Sequence, residues 1–135
     1  MSTASGEKFE TVMIIDDNNV DLYITSRMIS KNNFGKNILL YTSAEEALRY
    51  LRDHQDDKAL LPEIIFVDIY MPLMSGFEFL EEYDKFDASL KNEIRTYIVS
   101  STIDKQDIAR SEANKNVVCF QVKPITKDFL DRIVK

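Results

Sequence analysis

Five short apolar runs, at residues 12–15, 38–41, 64–67, 97–99 and 117–122, recur along this chain with polar, helically spaced segments between them. Runs that do not alternate with polar residues suit strands covered on both faces, as in a parallel sheet. The intervening segments place apolar residues at helical spacing: Val20, Tyr23, Ile24 and Met28; Ala44, Ala47, Leu48 and Leu51; Phe79, Leu80, Tyr83 and Phe86. After the fifth run come Phe129, Leu130, Ile133 and Val134. Ser43 with Glu46 has capping-box spacing, and Thr126 is placed to cap the final helix. The segment 104–114 offers only Ile108, Ala109 and Ala113 as an apolar face, which predicts a lightly packed and mobile helix.

Strict strand–helix alternation, with crossovers of ten or more residues, forces parallel pairing and right-handed connections. The chain therefore reads as α/β: a doubly wound five-stranded parallel sheet with helices on both faces. The polar connections 53–63 and 84–96 read as surface loops, with the conformation at Leu60 and Leu61 open. Residues 1–10 read as a disordered lead-in and residues 11–135 as one domain, for which 44% hydrophobic content is ample core material.

Charge narrows the function. Seventeen Lys and Arg against 23 Asp and Glu leave a net charge of −6 with no basic run, so nonspecific gripping of a phosphate backbone and direct DNA binding are not expected. No apolar run exceeds four residues, against the ~20 that span a bilayer, so no membrane association is expected and the chain reads as cytoplasmic. A single cysteine, Cys119, allows no internal disulfide and reads as a core thiol. His54 reads as an exposed helix-end residue without companion metal ligands, and Met71 and Met74 as packing residues.

Ligand sites in doubly wound sheets lie beyond the carboxyl ends of the strands. There this chain places Asp16 and Asp17, Asp68, Ser100 with Ser101 and Thr102, and Lys123 with Pro124. Three carboxylates in one cleft repel one another unless a hard divalent cation or an ammonium neutralises them. Mg²⁺ together with Lys123 would balance all three charges and leave a neutral cradle for a phosphoryl group.

The pattern Ile14-Ile-Asp16-Asp17, Val67-Asp68-Ile-Tyr-Met-Pro72-Leu-Met-Ser-Gly76, Val99-Ser100 and Val122-Lys123-Pro124 resembles the receiver domain of two-component response regulators, stand-alone type. The resemblance runs from about Val12 to the end, and the Asp-x-x-Met-Pro-x-Met-x-Gly stretch carries most of its specificity. It implies a flavodoxin-like receiver fold of strand order 2-1-3-4-5. Asp68 is implied as the phosphoacceptor, a nucleophile that takes a phosphoryl group from a sensor histidine kinase or phosphotransfer protein. Asp17 and Asp68 are implied as direct Mg²⁺ ligands, with Asp16 holding metal-bound water, the main-chain oxygen of Tyr70 completing the set, and Mn²⁺ able to substitute. Lys123 is implied to pair with Asp68 at rest and with a phosphoryl oxygen afterwards, Ser100 to donate a hydrogen bond to the phosphoryl group, and Phe120 to turn inward as the switch aromatic. For the hydroxyl residue, the apolar run ending at Val99 points to Ser100, whereas the usual spacing from Lys123 points to Ser101. A cis Lys123–Pro124 bond is implied as well.

Three positions depart from the family pattern. Phe120 lacks the hydroxyl of the frequent tyrosine, which leaves only the packing half of the switch. Tyr70 and Thr102 supply neither an acid nor an amide to position water, so slow loss of the phosphoryl group is expected. The chain is read as a signalling domain rather than an enzyme, controlling an unidentified output protein through the helix at 104–114, the fifth strand and the final helix. A monomer, or a weak dimer on phosphorylation, is expected. With nothing after Lys135 to act as an output domain, and a short final helix, both a stand-alone protein and a piece of a longer one fit. Three rival readings stand beside this one. A flavin-binding flavodoxin-like protein needs a hydroxyl- and glycine-rich phosphate loop after the first strand, where Asp16 and Asp17 would repel the phosphate. An aspartate-based phosphatase needs a second acid at position 70, where Tyr70 stands. A receiver-like docking module that is never phosphorylated predicts loss of at least one site residue, and none is lost.

Overall fold

In a computed structural model that describes residues 6–135, the strands are β1 (Phe9–Ile15), β2 (Gly35–Tyr41), β3 (Ile64–Val67), β4 (Arg95–Ser100) and β5 (Val117–Val122). The helices are α1 (Asn19–Lys31), α2 (Ala44–Asp53), α3 (Gly76–Tyr83), α4 (Ala88–Lys91), α5 (Lys105–Ala113) and α6 (Lys127–Arg132), with a 3₁₀ turn at Lys58–Leu60. All strand pairs are parallel, in the order β2-β1-β3-β4-β5, as expected from the strand–helix alternation and the implied order. Among the described residues no helix is long and apolar enough to cross a membrane.

Period-two alternation splits the central strands between two cores. Met13, Ile15, Ile65, Val67 and Ile98 face α2 and α3, where Ala44, Ala47, Leu48, Leu51, Phe79, Leu80 and Tyr83 close the layer. Val12, Ile14, Ile64, Phe66, Tyr97 and Val99 face α1 and α6, meeting Leu22, Ile29, Phe129 and Leu130. Only β1, β3 and β4 are covered almost throughout; β2 and β5, at the sheet edges, are largely half-buried or exposed. Cys119 lies on edge strand β5 and is half-buried against the α6 layer, so it is a margin residue rather than the core thiol expected.

The helix faces at α2 and α3 match the spacing expected for them, except that α3 stops at Tyr83 and leaves Phe86 outside it. The α1 face does not match. Its buried residues are Leu22, Thr25 and Ile29, while Val20, Tyr23 and Ile24 are 66%, 63% and 44% exposed and Met28 is half-buried. Two apolar stripes run along this helix, and spacing cannot choose between them. Its phase is set where it begins, by Asn18, whose side chain accepts from the Asp21 amide and fixes the exit from β1.

Smaller corrections concern the ends and connections. β1 starts at the buried Phe9, so Phe9 and Glu10 belong to the sheet and not to the lead-in expected over residues 1–10; residues 1–5 lie outside the described part. Both long connections contain a helical turn, at Lys58–Leu60 and at α4, and they bury Leu61, Leu90 and Ile94. Ser43 accepts from the Glu46 amide, but the reciprocal box is at Ser75 and Glu78. Val134 is exposed rather than packed, and Thr126 caps α6 as expected. The helix at 104–114 forms as α5 with Ser111 alone fully buried, in keeping with the light packing expected of it.

Candidate functional site

The parallel ladder delivers the strand ends to one edge. β1, β3 and β4 run level, Ile15 beside Val67 and Val67 beside Ile98. The backbone pairing then continues one residue past the strands: Asp16 N–H donates to Tyr41 O at 3.0 Å, Asp68 N–H to Ile15 O at 3.0 Å, and Lys123 N–H to Ser100 O at 2.9 Å. Asp16, Asp68 and Lys123 are thus fixed by main-chain bonds before their side chains act.

Gly76 makes the Asp68 turn close. The Gly76 amide donates to Ile69 O at 2.7 Å, and a Cβ at Gly76 would lie 2.2 Å from the Asp68 carbonyl oxygen. Only a residue without a side chain lets α3 begin against the backbone of Asp68. The α3 capping box holds that start from the other side. Leu73, in the same loop, takes φ 69° and is 93% exposed.

Carboxylate oxygens of Asp16, Asp17 and Asp68 all lie within 4.8 Å of one another. Asp16 and Asp68 are buried and Asp17 faces solvent. Three hard oxygen donors at this spacing fit a cation with ligand distances of ~2.0–2.1 Å that keeps several waters, which suits Mg²⁺. Lys123 Nζ lies 2.6 Å from Asp16 Oδ2, 2.9 Å from Asp21 Oδ2 and 3.5 Å from Asp68 Oδ2. Burial disfavours its charge, but hydrogen bonds to Asp16 and Asp21 and the charges of Asp68 and Asp16 outweigh that and hold its pKa well above the ordinary lysine value. For Asp68 burial dominates and raises the pKa, with Asp16 adding to the rise; Lys123, the Ser100 hydroxyl and the Ile69 amide pull it back without cancelling it.

Ser100 is buried at the end of β4 next to Asp68, whereas Ser101 faces solvent. Of the two registers open to the sequence, the geometry therefore brings Ser100 into the cleft. Phe120 is half-buried against the α2–α3 core, and Met71 and Met74 pack there too. The Lys123–Pro124 peptide bond is cis. His54 caps the end of α2 and is half-buried, stacked on Tyr50 at 4.2 Å, instead of exposed.

Two residues at the cleft escaped the sequence reading. Asp21, in the first turn of α1, is the second-nearest partner of Lys123. Asp107 accepts hydrogen bonds from the Tyr70 hydroxyl and, at 3.0 Å, from the Thr102 hydroxyl. Tyr70 is 60% exposed and leans to α5, tying the loop after Asp68 to the loop after Ser100.

Known proteins resemble this one along nearly the whole chain. A two-component response regulator from Cytophaga hutchinsonii superposes with a TM-score of 0.85 and 27% identity, covering 93% of each chain. The complex of CheX and CheY with BeF₃ and Mg²⁺ from Borrelia burgdorferi gives a TM-score of 0.71 at 22% identity, over 88% of this chain and 81% of the other, a likeness of fold alone. In sequence, the sensor histidine kinase CheAY of Helicobacter pylori is 31% identical over 124 residues, which are 92% of this chain and 14% of that much longer protein. The sequence profile of the response regulator receiver domain matches residues 12–135, from within β1 through the whole acidic cleft, and the chain belongs to that family.

Proposed function

We propose that this receiver domain is a phosphorylation switch in which Asp68 accepts a phosphoryl group from a histidine kinase or phosphotransfer protein. The observation that carries the reading is the buried Asp68 carboxylate, flanked by Asp16 and Asp17 on one side and Lys123 on the other. An Asp68 oxygen forms the new P–O bond while the bond from phosphorus to the donor breaks, its electron pair leaving with the donor group. Mg²⁺, or Mn²⁺ in its place, held by Asp16, Asp17, Asp68 and the Tyr70 main-chain oxygen, would neutralise the transferring phosphoryl oxygens. Lys123 supplies a placed positive charge to one of those oxygens and Ser100 a hydroxyl donor to another.

Output follows from differential contact. A phosphoryl group that draws Ser100 toward itself favours one packing of the loop after β4, and Phe120 then turns into the space this vacates. The face of α5, β5 and α6 carries that change to a partner protein. Docking of the donor has its own support in the exposed Val20, Tyr23 and Ile24 at the head of α1, directly after Asp17. The decisive experiment is intact-protein mass after incubation with acetyl phosphate, with and without Mg²⁺, beside Asp68→Asn. The reading requires a hydroxylamine-labile gain of one phosphoryl group that needs both Mg²⁺ and Asp68. No gain at high Mg²⁺ would refute it and leave a docking module.

A further inference from the structure

Lys123 is shared with a carboxylate that the phosphoacceptor chemistry does not use. Its Nζ is 2.9 Å from Asp21 Oδ2 and 3.5 Å from Asp68 Oδ2, so the lysine sits closer to α1 than to the nucleophile. An ammonium has three N–H donors, and Asp16, Asp21 and Asp68 present three acceptors to it. A first-turn acid is favourable at a helix N-terminus on its own account. That accounts for a negative charge in the first turn of α1 but not for its aim. The Asp21 amide is already capped by Asn18, and the side chain reaches across the fold to a lysine 102 residues away that is only 13% exposed.

We propose that Asp21 is a positioning residue that holds Lys123 on the α1 side of the cleft, withdrawing its charge from Asp68 until a phosphoryl oxygen competes for it. The proposal rests on the phosphoryl-accepting reading of Asp68. Asp21 adds a fourth carboxylate to a cleft with one ammonium, and an incoming phosphoryl group is itself an anion. Asp21 therefore slows acceptance twice: it repels the anion and it engages the cation that would receive it. When the phosphoryl oxygen takes Lys123, the first turn of α1 loses a partner, so the occupancy of Asp68 is felt at the surface where Val20, Tyr23 and Ile24 are exposed.

The test compares the unchanged protein with Asp21→Asn and Asp21→Glu. Acceptance from acetyl phosphate at saturating Mg²⁺ and low ionic strength should be about three- to tenfold faster in Asp21→Asn, the size expected for one partly exposed ion pair. The excess should shrink at high salt, and Asp21→Glu should restore the slow rate. A rate for Asp21→Asn equal to or below that of the unchanged protein overturns the proposal. The second readout is the ¹⁵N signal of the Lys123 ammonium without any phosphoryl donor, which should shift in Asp21→Asn while that of Lys127, paired with Asp131, stays in place. A Lys123 signal that does not move also overturns the proposal. If the unchanged protein takes no phosphoryl group at all, the function of Asp68 fails, and the ammonium signal still decides whether Asp21 holds the lysine.

Discussion

Gly76→Ala is the smallest change that should damage both fold and site. The added Cβ would lie 2.2 Å from the Asp68 carbonyl oxygen and 3.0 Å from both the Asp68 carbonyl carbon and the Ile69 Cα. All three neighbours are backbone, so no side chain can swing away. Ordinary contact begins near 3.4 Å, which requires a relative movement of about 1.2 Å between the start of α3 and the Asp68 turn. Overpacking of this kind costs ~1–3 kcal/mol. Alanine's better helix propensity returns at most ~1 kcal/mol, so a net loss of about 1–2 kcal/mol is expected. With a melting entropy of ~2.1 cal/mol/K per residue, a chain of this length loses about 4–7 °C in Tm. The displaced backbone is that of Asp68, the proposed phosphoacceptor, so phosphoryl acceptance from acetyl phosphate should fall at least about tenfold, since misplacement by ~1 Å can cost a hundredfold. Differential scanning calorimetry and the mass assay read the two effects. A Tm within 1 °C of the parent together with an unchanged acceptance rate would refute the argument from close approach.

Four further outcomes follow from the structure. In α1, Leu22→Ala and Ile29→Ala should each cost ~2–4 kcal/mol in urea denaturation, while Val20→Ala and Tyr23→Ala stay within ~0.5 kcal/mol; the reverse order would mean that the helix is rotated. Burial raises the Asp68 pKa, so the folded state binds a proton more tightly than the unfolded one, and the penalty for ionising this carboxyl grows as pH rises through the interval between the two pKa values. Asp68→Asn should accordingly raise Tm at pH 7 in chelator-containing buffer, with a gain that fades toward pH 3, and a lower Tm at pH 7 would contradict this. Asp84 accepts hydrogen bonds from Asn116 and Lys91 and faces Lys115, which lower its pKa to about 2. Its carboxyl carbon should still report the ionised form at pH 3 by NMR, and the stability it contributes should be lost as pH falls toward 2. Tyr70→Asn, which removes the hydroxyl held by Asp107 and supplies an amide, should speed loss of the phosphoryl group from Asp68, measured by the decay of the added mass.

The sheet and the acidic cleft were legible because both depend on short-range pattern. A four-residue apolar run flanked by polar segments has little choice but a covered strand, and in a parallel sheet the residue after each run must lie at the carboxyl edge. Asp16, Asp68 and Lys123 were therefore placed by counting alone. The face of α1 was not legible, since two apolar stripes compete there and the winner depends on how the chain leaves β1. Asp21 and Asp107 were missed for a related reason. Each acts through a partner on another element, Lys123 at the end of β5 for Asp21 and Tyr70 in the loop after β3 for Asp107, and no local spacing records such a pairing. The choice between Ser100 and Ser101 needed the pleat, because neighbouring residues in a strand point to opposite sides.

The cleft is attached to α5, a helix with only Ser111 fully buried. Ser100 is joined through its carbonyl to the amide of Lys123, so the ends of β4 and β5 are coupled by a main-chain bond that does not depend on side-chain chemistry. Beyond Ser100, Thr102 donates to Asp107 in the first turn of α5, and Tyr70 donates to the same carboxylate from the loop that carries Asp68. Any movement of Ser100 toward Asp68 thus pulls on both ends of a short hydrogen-bonded circuit whose far side is α5. That helix buries only Ser111 completely, while α2 buries Ala44, Ala47, Leu48 and Leu51. A perturbation of one or two hydrogen bonds is worth ~1 kcal/mol each, and α5 has fewer fully buried side chains than α2 to resist it. On the proposed reading of Asp68, the light packing of α5 carries a change at that carboxylate to the surface.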